Sequence, residues 1–434
     1  MTEVFSDPTV DSLDRRMVRR LLGRGRRGET PSWDSPGEIG REAGSYQSLH
    51  AGFTELADRA SLLSRERELL PDLLSRLRGP CSSEQRRLLL SDPVLCSWVL
   101  CEQLIEECRD LTHAEAMRAD ALADLAVSLT ERLSAQRYGE PLVNDLRARA
   151  WACAAHVFLS LADLHSADEA LERAETLLEA GTGDGLEEAC VLEARAALLQ
   201  NRGQAPEAHL LIDEAVDIYR QYQDLHLVGR AFIRKGEICV SAQSLQTGIR
   251  WLRKGLGLLD PTRERRLALS ARLSLMLALH ESGRDREAWF LLKASRPEVQ
   301  ESGGELLALR LTWLEGKIQQ VLGPPEEAER SLVEARRGFI AQGVGFDAAA
   351  ATLDLALLYA SRGRSSEMRR LAEEALVIAS ARDLHREALA AVIVFQQAVW
   401  MDRASSDLLL DIRAYLHRAR KDSSLRFEAS SFTS

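Results

Sequence analysis

A chain of 434 residues with 45% hydrophobic, 28% charged and 5% aromatic residues is too apolar for disorder along most of its length. It exceeds one ordinary compact core, but a repeat array escapes that limit by adding core one unit at a time. A formal net charge of -10 disfavours general attraction to nucleic acid or to an anionic membrane surface.

Taken in order, residues 1–44 are compositionally separate, with Pro8, Pro31, Pro36 and several glycines breaking any long helix. They are expected to form a mobile tail. Arg15, Arg16, Arg19, Arg20, Arg24, Arg26 and Arg27 crowd into it, offering either a contact for phosphate, RNA or an acidic partner, or a solvated arm. Gly23, Gly25 and Gly28 match a dinucleotide-binding glycine pattern only formally, because no strand precedes them. Residues 45–140 are read as a helical capping region. It has helical patterning from Tyr46 to Leu77 and from Ala114 to Leu133, and Pro93 opens a helix that runs to Cys108. The seven cysteines contain no C-x-x-C pair, and free core thiols fit a reducing compartment and a cytoplasmic location. The N-terminus has no apolar signal core, and the most apolar run, Ala388 to Val399, is interrupted by Gln396 and Gln397, so no membrane segment is expected.

Residues 141–421 are read as about seven helix pairs, followed by a fraying tail, 422–434. The pairs include Leu186 to Gln200 with Pro206 to Tyr222, Leu225 to Val240 with Leu245 to Leu259, and Arg263 to Glu281 with Asp285 to Ala294. Next come Glu305 to Val321 with Pro324 to Gln342, and Phe346 to Ser361 with Ser365 to Ala381. Gly203, Gln243, Gly283, Gly323 and Gly363 fall on a forty-residue grid as the turns within pairs, each followed five residues later by Ala208, Gly248, Ala288, Ala328 or Met368. A fixed period of this size means a solenoid, with small residues letting helices cross closely. The fold class is all-α, a right-handed solenoid of stacked antiparallel helix pairs.

The residue order resembles the tetratricopeptide repeat (TPR) family. The match is carried best by Gly316, Gly323, Ala328, Leu332 and Ala335, and by Gly203, Ala208, Ile212 and Ala215; Gly236, Gly248, Leu252 and Gly255 match less closely. The family period is 34 residues, so each repeat here carries six more, in longer helices or longer loops. The resemblance implies a scaffold that binds polypeptides along a concave groove. Longer-period repeats of this kind also resemble the sensor arms of bacterial helix-turn-helix transcription regulators.

By the family register the first helix of each pair lines the groove. That places Arg230, Arg234 and Glu237 on one helix, Ser270, Leu273, Leu277 and His280 on the next, and Arg310, Trp313 and Lys317 on the one after. An aromatic flanked by cations suits an acidic polypeptide, with Trp313 against an apolar anchor, whereas the plainer reading makes Trp313 core and the cations solvated. No H-E-x-x-H, nucleophile elbow or P-loop occurs, and no two histidines lie within four residues of each other. The expectation is a non-enzymatic adaptor or regulator without cofactor or metal. The alternatives are a nucleic-acid-associated regulator acting through the arginine-rich tail, and a sensor of a small ligand.

Overall fold

The computed structural model describes residues 60–77, 95–112, 116–161, 163–302, 304–378, 386–419 and 426. The arginine cluster Arg15 to Arg27 therefore lies outside the described residues. Those that are described are helical, without a strand among them. They form two compact units, one of the described residues up to Ser160 together with His165–Arg195, the other of Leu161–Leu164 and the described residues from Ala196 onward.

The first unit holds α1 (60–77), α2 (Trp98–Leu111), α3 (Ala116–Glu131), the single turn α4 (Ala135–Tyr138), α5 (Glu140–Ser160), α6 (Leu164–Glu179) and most of α7 (Gly185–Asn201). Leu63, Leu73, Trp98, Leu104, Cys108, Leu129, Leu146 and Cys153 form its core. One buried carboxylate ties it together. Glu66 accepts hydrogen bonds from the Ser97 hydroxyl (2.7 Å), the Val99 N–H (3.3 Å) and the Tyr138 hydroxyl, and it pairs with Arg137 at 3.2 Å. It thereby fills the N-terminus of α2, where unsatisfied N–H groups and the helix dipole favour a negative charge. Burial and the bond to Glu66 push the Tyr138 phenol well above its ordinary value. On α5, Arg149 bridges Glu102 of α2 (3.2 Å) and Glu187 of α7 (3.0 Å).

The second unit continues with α8 (Ala205–Gln221), α9 (Leu225–Ser241), α10 (Leu245–Leu258), α11 (Arg265–Glu281) and α12 (Asp285–Ser302). Then come α13 (Gly304–Leu322), α14 (Pro325–Ala341), α15 (Gly345–Ala360), α16 (Ser365–Ile378), α17 (Arg386–Trp400) and α18 (Ser406–Ala419). Helices start about every twenty residues, so the forty-residue beat is two helices and two short turns. The additional length of each repeat goes into helix, not loop.

Seven of the described turns share one mechanism. Gly203, Gln223, Gln243, Gly283, Gly343, Gly363 and Asp402 have positive φ, and the next residue donates its N–H to the carbonyl five residues back. Examples are Gln204 to Leu199 (2.9 Å), Ser244 to Cys239 (2.8 Å) and Arg364 to Tyr359 (3.0 Å), the bond that caps a helix end through a left-handed residue. Gly323 also sits in a turn but lacks the positive φ, because Pro324 has no N–H to make that bond; its own N–H goes to Gln319 at 2.9 Å.

Successive helices pack on one another, and the first helices also touch along the row α9, α11, α13 and α15. Short turns between helices in contact make the pairs antiparallel, and the unit is an α-solenoid. Each second helix buries one stripe, such as Ala208, Ile212 and Ala215, or Ala328, Leu332, Ala335 and Phe339. The closest pair is α9 with α10. A Cβ on Gly236 or Gly255 would stand 2.7 Å from a partner-helix atom, one on Gly229 would stand 2.7 Å from the N of Leu259 that caps α10, and one on Gly248 would stand 2.6 Å from Val240. The residues that match the repeat pattern less closely thus make the tightest crossing, with glycine on both sides.

One departure has a physical cause. Helix α12 was expected to stop at Ala294, ahead of Pro297, yet it runs through that proline to Ser302. Burial of Val299 and ion pairs from Arg265 and Arg272 of α11 to Glu298 hold its last turns in place. At the far end, α18 packs on α15 as well as on α17.

Candidate functional site

Helix α13 carries Arg310, Trp313, Lys317 and Gln320 at spacings of three and four, which stacks them on one face toward α15. Helix α15 answers with two acids seven residues apart, Asp347 (2% exposed) and Asp354 (1% exposed), in a run otherwise made almost wholly of alanine and leucine. A buried carboxylate is tolerable only when paired and hydrogen-bonded, and both are. Arg310 Nε donates to Asp347 Oδ2 at 2.9 Å, and Trp313 Nε1 donates to Asp354 Oδ2 at 2.8 Å. The other oxygen, Asp354 Oδ1, takes Arg413 of α18 at 2.8 Å, and Gln320 donates to the Asp354 carbonyl at 3.3 Å. Lys317 lays its ammonium over the Trp313 ring, 4.9 Å from the centroid, with only 7% of the residue exposed.

The indole is half-buried, packed against the core around Phe346 and Leu355, and its polar edge is committed to Asp354. Trp313 is therefore a repeat-to-repeat contact that keeps some surface, and Lys317 beside it is buried, not solvated as the plainer reading has it. Arg310 does not stand as an open cation beside it, because Asp347 engages it.

The other expected groove residues form separate local contacts. Arg230 of α9 reaches the Tyr219 hydroxyl (3.1 Å) and Glu264 (3.4 Å), while Arg234 pairs with Glu237 on its own helix at 3.5 Å. His280 binds Asp285 at 2.6 Å across the α11–α12 turn. Leu273 and Leu277 of α11 are half-buried apolar residues.

Asp347, Asp354 and Arg413 were not among the residues singled out from sequence. A legible signal existed in two isolated acids on one face of an alanine-rich helix, since such acids survive only with buried partners.

Folding also creates a histidine–cysteine contact that sequence proximity hides: His209 Nε2 of α8 lies 3.5 Å from Cys239 Sγ of α9. Burial lowers the His209 pKa and raises that of Cys239, the opposite of the environment that makes a reactive thiolate. Among the described residues no group of three or more His, Cys, Asp or Glu is placed to hold a metal ion. No described helix is long and apolar enough to cross a membrane.

No family model matches the chain, and no curated protein matches it. The chain is similar to a solved structure described as a Rap protein complexed with Competence and Sporulation Factor, at 16% sequence identity and a TM-score of 0.50. The likeness covers 74% of this chain and 91% of that one. At this identity the likeness is one of fold, a TPR-like array of helical repeats.

Proposed function

We propose that the chain is a non-enzymatic interaction scaffold or regulatory adaptor that binds a polypeptide along the face made by its first helices. The observation that carries this reading is the contacting row α9, α11, α13 and α15, which presents half-buried Leu273, Leu277, Trp313 and Leu357 beside charged groups. Apolar anchors of this kind, bordered by a few polar groups, suit an extended or helical segment. The similar Rap structure was solved with a bound factor, which supports a binding role for the shared fold. A place in bacterial signalling, as in the sensor arms that the repeats resemble, and a cytoplasmic location follow from the same reading.

The test is selection of short random-sequence peptides on the intact chain. It is followed by comparison of Trp313→Ala with Phe290→Ala, a substitution at a 79% exposed side chain on the second helix α12. Peptides are expected to bind and to lose affinity only with the Trp313 variant, once melts show that both variants fold. Failure to select any peptide, or an equal loss with Phe290→Ala, contradicts the proposal.

A further inference from the structure

The face around Trp313 carries a charge that the protein leaves unanswered. Arg310 is matched by Asp347, and Asp354 is matched by Arg413. Lys317 remains. More than nine-tenths buried, it has the Trp313 ring as its contact, and among the described residues no carboxylate lies within ion-pair distance of its ammonium. An ammonium stripped of most of its water is costly unless an anion compensates it, and an indole face supplies only part of that.

The neighbouring repeats sharpen the point. On the forty-residue grid the positions equivalent to 317 are Leu277 and Leu357, and those equivalent to 313 are Leu273 and Leu353. Leu277 and Leu357 are half-buried, as is Leu273. The flanking first helices α11 and α15 are thus apolar at this level, with a single unneutralised ammonium set between them on α13, while on α9 the equivalent position is Glu237, already paired with Arg234.

We infer that Lys317 anchors one acidic side chain, Asp or Glu, of a bound polypeptide, and that an adjacent apolar side chain of the same segment lies on Trp313 and the flanking leucines. The inference rests on the polypeptide-binding reading and specifies its chemistry. Arg310 is not the anchor, because an incoming carboxylate would have to displace Asp347. Arg413 is excluded for the same reason through Asp354. Specificity then comes from one charge-assisted bond made in a poorly hydrated place, where it is stronger than at an open surface.

The test uses peptides selected on the wild-type chain and resynthesised with each Asp or Glu changed to its amide, measured against wild type, Lys317→Met and Lys317→Arg. Lys317→Met keeps the apolar stem and drops the charge, while Lys317→Arg restores it. Thermal melts confirm that each variant is folded. One acid-to-amide change is expected to weaken binding about tenfold or more on wild type and on Lys317→Arg, and to have no effect on Lys317→Met. Equal weakening on wild type and Lys317→Met overturns the anchor while leaving polypeptide binding intact. A Lys317-dependent loss on amidating the peptide's C-terminus, in place of a side chain, overturns the side-chain assignment. Absence of any selected peptide overturns this inference together with the function on which it rests.

Discussion

At the scale of single residues, Gln243 shows how far the repeat overrides local preference. Its φ of 60° matches the 76°, 75° and 67° of Gly203, Gly283 and Gly363, although a side chain there is strained by about 1–2 kcal/mol. Glycine forfeits about 0.5–1 kcal/mol in chain entropy, so Gln243→Gly is expected to stabilise the protein by up to about 1 kcal/mol. A higher urea midpoint with an unchanged slope checks this; a lower midpoint contradicts it. Trp313 carries a second expectation. Trp313→Phe keeps most of the apolar contact but removes the N–H that reaches Asp354, and the expected cost is about 1–3 kcal/mol for leaving a buried acceptor short of a donor. Stability equal to wild type would show that the bond contributes nothing.

At the scale of helices, the α9–α10 crossing and the α14–α16 ion cluster each give a directional test. Gly255 and Gly257 lie on the same helix, but a Cβ at 255 would stand 2.7 Å from the Gly229 carbonyl oxygen, whereas a Cβ at 257 meets nothing within 4 Å. Gly255→Ala is therefore expected to destabilise by about 1–3 kcal/mol, and Gly257→Ala to stabilise by about 0.5–1 kcal/mol. Denaturant midpoints that shift in the same direction for both would refute the close crossing. In the ion cluster, Arg364 of the α15–α16 turn binds Glu329 of α14 at 2.5 Å and Glu367 of α16 at 2.7 Å. The Arg364 hydrogen bond holds the Glu329 carboxyl below its usual range, and bonds from Ser366 and then Arg364 bring Glu367 down to about 2. Carboxyls depressed in the folded state contribute stability above their unfolded pKa of about 4.3, and that contribution fades as pH falls toward 2. Arg364→Met should thus lower stability at neutral pH and flatten the decline between about pH 4.5 and 2. An acid limb unchanged by the substitution would count against the cluster.

The helices themselves were legible because turn residues recur at fixed spacing and each buried stripe keeps helical period, as in Ala328, Leu332 and Ala335. The end of α12 was not, since Pro297 argues locally for a stop and the opposing terms come from α11. Trp313 and Lys317 were visible as an aromatic and a cation on one face. Their partners were hidden because Asp354 gathers groups from α13 and α18, and no local pattern reports on contacts made across so much chain.

At the scale of the whole molecule, repetition provides a row of first helices and variation gives the row its chemistry. Arg310, Trp313 and Lys317 stand where the next repeat has Ala350, Leu353 and Leu357. The last helix adds a boundary, since Arg413 of α18 reaches the same Asp354 that holds Trp313 and so brings α18 to the edge of this site. The central claim is that a polypeptide lies along the first helices, and backbone hydrogen exchange with and without a selected peptide tests it most directly. Slowed exchange concentrated in α11, α13 and α15, with α10, α12 and α14 unchanged, is the result this account predicts. Protection confined to the second helices would contradict it.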